Sequence, residues 1–155
     1  MKILKILSTI VVLLAIVFAF VAPIGPVPGF FIGGSQTPAP DPWMDTSATH
    51  EIKLSVPGTP PRVVIIWLVQ HDGSLYVVGS ADSGWVTRIG EGGRVQMRLD
   101  DNLYDLDAAR IREGLEPVLA AYVAKYEPDY PEIVAEFPSI EEGGDLFAVF
   151  RLDRP

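Results

Sequence analysis

Between Ser80 and Ile89 the chain gathers the side chains best suited to holding an anion: the hydroxyls of Ser80, Ser83 and Thr87 and the guanidinium of Arg88, with Asp82 and Trp85 among them. Hydroxyls and a guanidinium at the end of a strand can hydrogen-bond a phosphate without a helix, and arginine's planar fork matches its oxygens in pairs. The same residues also compose an ordinary polar turn, with Ser83-Gly84 reversing the chain and Arg88 paired to one of the many acids. Both readings stand on the residues alone. Other chemistries have less to draw on. His50 and His71 are the only imidazoles, one at the entrance to a strand and one at a hairpin tip, so no metal site is expected. No Gly-x-Ser-x-Gly elbow, Walker loop or dinucleotide fingerprint occurs, which leaves acyl transfer, nucleotide hydrolysis and Rossmann-type binding without support. Glu91, Glu141 and Glu142 lie beside glycine pairs, as solvated turns do, and no catalytic acid or base can be named. Trp67, Trp85, Tyr76, Tyr104 and Tyr122 would suit a pocket for a planar ring, although aromatics in strands and on helix faces also make plain core. Trp85 stands apart because it follows a loop.

The elements that position these residues begin at a hairpin. Arg62 to Val69 is β-branched and aromatic with apolar residues on both alternating faces, which suits a strand covered on both sides. Asp72-Gly73 supplies the positive φ of a tight turn, and Leu75 to Gly79 returns antiparallel. Glu51 to Val56 alternates as an edge strand would, and Arg94 to Leu99 places Val95, Met97 and Leu99 on one face. Asp101-Asn102 is the expected turn before a strand from Leu103 to Ile111. The period then changes: Leu115, Val118, Leu119, Tyr122, Val123 and Tyr126 share one helical face, and Pro117 fits only the first turn, so the helix starts near Gly114. A short helix over Glu132 to Phe137 and a closing strand over Asp145 to Leu152 complete a mainly β, α+β domain. It is expected to be a small antiparallel barrel with one or two helices, one lying across an opening.

Composition and the N-terminal third bound the rest. The chain has 155 residues, a net charge of −8 and no cysteine, so thiol chemistry, disulfides and thiolate metal sites are excluded. Lys2 and Lys5 aside, 10 basic and 20 acidic groups remain, a balance that disfavours nucleic acid and anionic surfaces as partners. Ile6 to Ile24 carries no charge and would make roughly 28 Å of helix, about the hydrocarbon thickness of a bilayer. A cleaved signal peptide is the competing reading, but Phe20 and Pro23 flank the one plausible cut after Ala22 unfavourably. Lys2 and Lys5 precede the span and no Lys or Arg follows it until Lys53, so the N-terminus is expected in the cytoplasm and the C-terminal domain outside it. Prolines and glycines crowd residues 25–49, which reads as a tether between an anchor (1–24) and a domain (50–155). Phe30-Phe31-Ile32 is an apolar island within it, suited to the membrane interface or to packing on the domain.

Leu75 to Ile89, read as a strand, a Ser-rich loop and then Trp85-x-x-Arg88-Ile89, resembles the corresponding stretch of the split β-barrel proteins of the deazaflavin-dependent nitroreductase and pyridoxamine-phosphate oxidase-like group. The resemblance covers roughly Pro57 to Tyr130. It implies a split barrel in which Ser80, Ser83, Trp85 and Arg88, with Thr87 beside them, face a deazaflavin or FMN. It further implies an oxidoreductase moving hydride between that cofactor and a quinone-like or nitro-aromatic substrate, with a homodimer among the assemblies left open. Asp82 and the single Arg88 depart from the several basic groups that such cofactor binders present. The alternative is a non-catalytic, membrane-tethered module that binds a small ligand or a protein.

Overall fold

The computed structural model describes residues 2–137 and 145–155, with the side chains of 2–4, 16 and 18–20 also outside the description. Its strands are β1 (Ser35–Gln36), β2 (Glu51–Val56), β3 (Arg62–His71), β4 (Ser74–Ser80), β5 (Gly92–Leu99), β6 (Asn102–Ile111) and β7 (Phe147–Asp153). The helices are α1 (Lys2–Val21), α2 (Gly84–Ile89), α3 (Leu115–Tyr126) and α4 (Pro131–Ala135). Strands β2 to β7 form one antiparallel sheet in the order β6-β5-β2-β3-β4-β7, and pairing of β6 with β7 closes it into a six-stranded barrel. One expectation is corrected. β2 is not an edge strand but lies between β3 and β5, which pair with it on either side.

Side-chain alternation fills the barrel strand by strand. Ile52, Leu54 and Val56 point inward from β2, Val95, Met97 and Leu99 from β5, Leu106 and Ala108 from β6, and Phe150 and Leu152 from β7. β3 divides its residues as a strand covered on both sides must: Val64, Ile66 and Leu68 join the barrel core, while Trp67 and Val69 join a second core beneath α3. The helical face expected on α3 builds that second core, through Val118, Tyr122 and Tyr126 against Tyr76, Val78 and Val149. The β3–β4 turn has Asp72 at φ 47 and Gly73 at φ 74, as a two-residue hairpin requires. The β5–β6 turn falls one residue earlier than expected, at Asp100-Asp101, since Leu99 pairs with Asn102 and Asp100 takes the positive φ of 55.

Two further departures have physical causes. The stretch expected as a polar loop contains α2, because Trp85, Val86 and Ile89 fall on one side of a helical turn and bury there. The Pro/Gly segment is laid along the barrel and is not a free tether. β1 pairs in parallel with β6, Ile32 and Thr46 are buried, and Trp43 enters the barrel core edge-on to Tyr104 with ring centroids 5.3 Å apart. Arg154 holds that segment from the far end of the chain, donating from Nε to Pro40 O at 2.6 Å. Within the expected span only the side chains of residues 16 and 18–20 lie outside the description. α1 runs Lys2–Val21, and among the described residues no helix is long and apolar enough to cross a membrane.

Candidate functional site

The residues expected to face a cofactor do not share one site. Ser80 ends β4, exposed, and its hydroxyl donates to the Asp82 carboxylate. Ser83 precedes α2; its Oγ is buried with no hydrogen-bond partner among the described residues, as is Nε of Arg62, whose guanidinium packs on Gly84. Thr87 Oγ1 donates back to Ser83 O at 3.1 Å, the ordinary habit of a helical threonine. Arg88 Nη1 donates to Pro60 O at 3.0 Å on the turn between β2 and β3, against Gly58. Trp85 is only 6% exposed and belongs to the barrel core beside Phe150, with ring centroids 5.6 Å apart. Its indole lies directly on Gly79, where any Cβ would collide with the ring. The strand position without a side chain and the helix residue with the largest one are therefore a single packing unit.

Ser80 does line a different feature, a groove of about 990 Å³ outside the barrel. One wall is β4 and the approach to β7, through Val78, Gly79, Leu146 and Phe147; the other is α3 and α4, through Leu119, Ala120, Val123, Val134 and Phe137. The volume lies in the range that takes a small-molecule ligand, and the lining is mainly apolar, as such sites are. Its charged members are Glu116 and Glu127, both exposed. Tyr122 reaches the groove from the second core, and burial, with Tyr126 adding to it, raises its phenol well above the usual range. The lining holds no cation among the described residues. Among the described residues, α3 packs over β3 and the groove lies beside it, against the outer face of β4 and the approach to β7.

A polar clasp sets where α3 lies. β2 begins at Glu51, paired with Trp67, so the N–H and C=O of Leu68 on that edge have no strand partner. Tyr126 OH takes their place: it accepts from Leu68 N at 2.9 Å and lies 2.7 Å from Leu68 O and 2.6 Å from His50 O. Lys125 Nζ donates to the carbonyls of Leu68 at 2.7 Å, Thr49 at 2.7 Å and Thr46 at 2.9 Å. Burial lowers the Lys125 pKa and Asp45 opposes it; burial raises the Tyr126 pKa. Trp67 stacks on Tyr126 with centroids 4.2 Å apart and planes 10° from parallel. His50 meets Asp129 at 3.4 Å and His71 meets Asp72 at 3.4 Å, and among the described residues no three His, Cys, Asp or Glu side chains converge as metal ligands. Neither the clasp nor Trp43 was anticipated from sequence. A lone tryptophan in a Pro-rich segment, and a lysine adjoining the apolar face of α3, were the available signals.

No family model matches the sequence, and no curated protein matches it. Among solved structures, HutZ, the heme storage protein from Vibrio cholerae, matches with a TM-score of 0.50 and 14% identity, over 70% of this chain and 84% of that one. A NimC/NimA family protein from Clostridium acetobutylicum matches with a TM-score of 0.48 and 19% identity, over 66% of this chain and 73% of that one. A candidate pyridoxamine 5'-phosphate oxidase from Listeria innocua matches with a TM-score of 0.48 and 14% identity, over 68% and 83%. At these identities the likeness is one of fold and does not single out the deazaflavin-dependent nitroreductases. The chain carries the six-stranded split β-barrel that it shares with the heme storage protein.

Proposed function

We propose that the chain is a membrane-anchored split-barrel protein that binds a flat, largely apolar ligand in the groove between α3/α4 and β4/β7. The observation that carries this reading is the groove itself, about 990 Å³ and lined mainly by apolar side chains. A phosphorylated flavin or deazaflavin is a poor fit. Of Ser80, Ser83, Trp85, Thr87 and Arg88, only Ser80 lines the groove, its hydroxyl is engaged by Asp82, and among the described residues the charged groups lining the groove are carboxylates. A phosphate beside Glu116 and Glu127 would meet like charge where it needs donors. The flavin-dependent oxidoreductase reading, with its quinone-like substrate, then rests on the fold alone. An uncharged ring compound such as a quinone asks for no cation.

The anchoring half of the proposal rests on the sequence alone: Ile6 to Ile24 would make roughly 28 Å of uncharged helix. None of residues 6–40 is charged, and both lysines precede them, which favours a cytoplasmic N-terminus and an extracytoplasmic barrel.

The test is a titration of the full chain in lipid nanodiscs with FMN, a deazaflavin and an uncharged naphthoquinone, with empty discs as the control for partitioning. Trp67 packs on Tyr122, and Trp85 lies on Gly79, so both indoles sit behind the groove lining. Saturable quenching of tryptophan emission by the quinone, without uptake of either nucleotide, is the expected result. Stoichiometric uptake of FMN or the deazaflavin would replace this reading with the oxidoreductase, and absence of saturable binding by any of the three would remove the groove as a site.

A further inference from the structure

We propose that the segment after α1 is a rigid strap lying in the interfacial layer of a bilayer, holding the barrel against the membrane in one orientation. This deepens the anchoring part of the proposed function and rests on α1 crossing the membrane. The strap is hydrogen-bonded at several points along its length. Val21 O, in the last turn of α1, accepts from Phe30 N at 3.0 Å and Phe31 N at 3.1 Å, so the chain returns to the helix end within ten residues. The intervening loop is closed by reciprocal bonds between Ile24 and Val27, both 3.0 Å. Gly29 then exchanges two 2.8 Å bonds with Val63 of β3. β4 pairs with β3 only from Leu68 to His71, so the first half of β3 has an edge left to receive Gly29.

Gly29 is the close approach that makes this possible. A Cβ there would lie 2.5 Å from Pro23 N and 2.6 Å from both Ala22 C and Val21 O, all backbone. Beyond it, Ile32 O accepts from Arg98 Nη1 at 3.2 Å, and Ser35 N donates to Asp101 O at 2.7 Å, which carries the strap onto β5 and β6. A helix joined to a barrel by this many backbone bonds does not behave as a free linker.

The occupant of the strap's outer surface follows from its chemistry and position. Ile24, Val27, Phe30 and Phe31 are 55%, 59%, 44% and 61% exposed around the end of α1. Such a patch of large apolar side chains marks an interaction surface. It is continuous with the proposed span and shares its lack of charge, since Asp41 is the first charged residue after Lys5. Aromatic and aliphatic side chains at the end of a span belong to the headgroup boundary. The acidic barrel disfavours electrostatic attachment to anionic lipid, so the strap's attachment is apolar and insensitive to salt.

The natural chain has no cysteine, so single-cysteine variants report depth without background. In nanodisc-reconstituted full chain, spin labels at Leu13→Cys, Val27→Cys, Phe31→Cys and Ser74→Cys are compared by their accessibility to oxygen and to a water-soluble relaxant. The expected order is Leu13 deep in hydrocarbon, Val27 and Phe31 in the interface within about 5–10 Å of the headgroup boundary, and Ser74 in water. Labels at 27 and 31 as wet as the one at 74, with 13 still deep, would overturn the strap and leave the span intact. A wet label at 13 would overturn the span and the strap with it.

Discussion

Replacing Trp85 with alanine is expected to lower the stability of the barrel by about 3–5 kcal/mol, the range for emptying a large aromatic from a packed core. Two readings of this residue give opposite outcomes. A tryptophan presented by a loop to a ligand could be removed with loss of binding and little loss of stability. The indole is instead 6% exposed, rests on Gly79 and adjoins Phe150, so its removal opens a cavity at the position where β4 has no side chain to offer. A core packed to native density refills such a space only in part, so a cavity remains beside the pairing of Gly79 with Ala148. Thermal unfolding followed by far-UV circular dichroism measures the effect, since that signal does not depend on the lost indole. An unchanged midpoint would mean that Trp85 is not a core residue.

Replacing Tyr126 with phenylalanine is expected to cost about 1–3 kcal/mol, the penalty for leaving a buried backbone donor unsatisfied. The ring stack on Trp67 survives the change, so the loss isolates the hydroxyl. What it removes is the acceptor for Leu68 N and a donor shared between Leu68 O and His50 O, at the point where β2 has run out. Lys125 Nζ remains on Leu68 O and limits the damage to the carbonyl, but no group replaces the acceptor for the N–H. Hydrogen exchange reads this directly: the Leu68 amide should lose protection relative to Val69 and Val77. Equal protection in the two proteins would show that the clasp does not hold the β3 edge.

The barrel was largely legible in the sequence because its determinants are local and periodic. Strict alternation in Arg94 to Leu99, the Asp72-Gly73 turn and the two-faced apolar run of Arg62 to Val69 each specify one element, and the helical spacing of Leu115 to Tyr126 specifies another. What could not be read was set by distant partners. Whether β2 is an edge depends on β5, some forty residues further along the chain, pairing with it at Lys53 to Ser55. The Pro-rich segment looks like a tether by composition, yet Trp43 supplies a core anchor and β6 an edge to pair with, and neither is visible from the prolines. At the candidate site, Ser80 was identified and does line the groove, whereas the groove's walls come from residues that by type alone read as core. The short helix α2 was hidden by Ser83-Gly84, which favour a turn until Trp85 and Ile89 are seen to bury together.

The central claim is that ligand enters the apolar groove and not the loop from Ser80 to Arg88. Its most direct test compares two variants of the full chain in nanodiscs, Ala120→Trp and Arg88→Ala, by calorimetric titration with the naphthoquinone. Ala120 is an exposed, small member of the groove wall on α3, and an indole there fills the space a ligand would use. The account predicts affinity at least about tenfold weaker for Ala120→Trp, a loss of about 1.4 kcal/mol or more, and unchanged affinity for Arg88→Ala. Binding that survives Ala120→Trp and disappears with Arg88→Ala would contradict it.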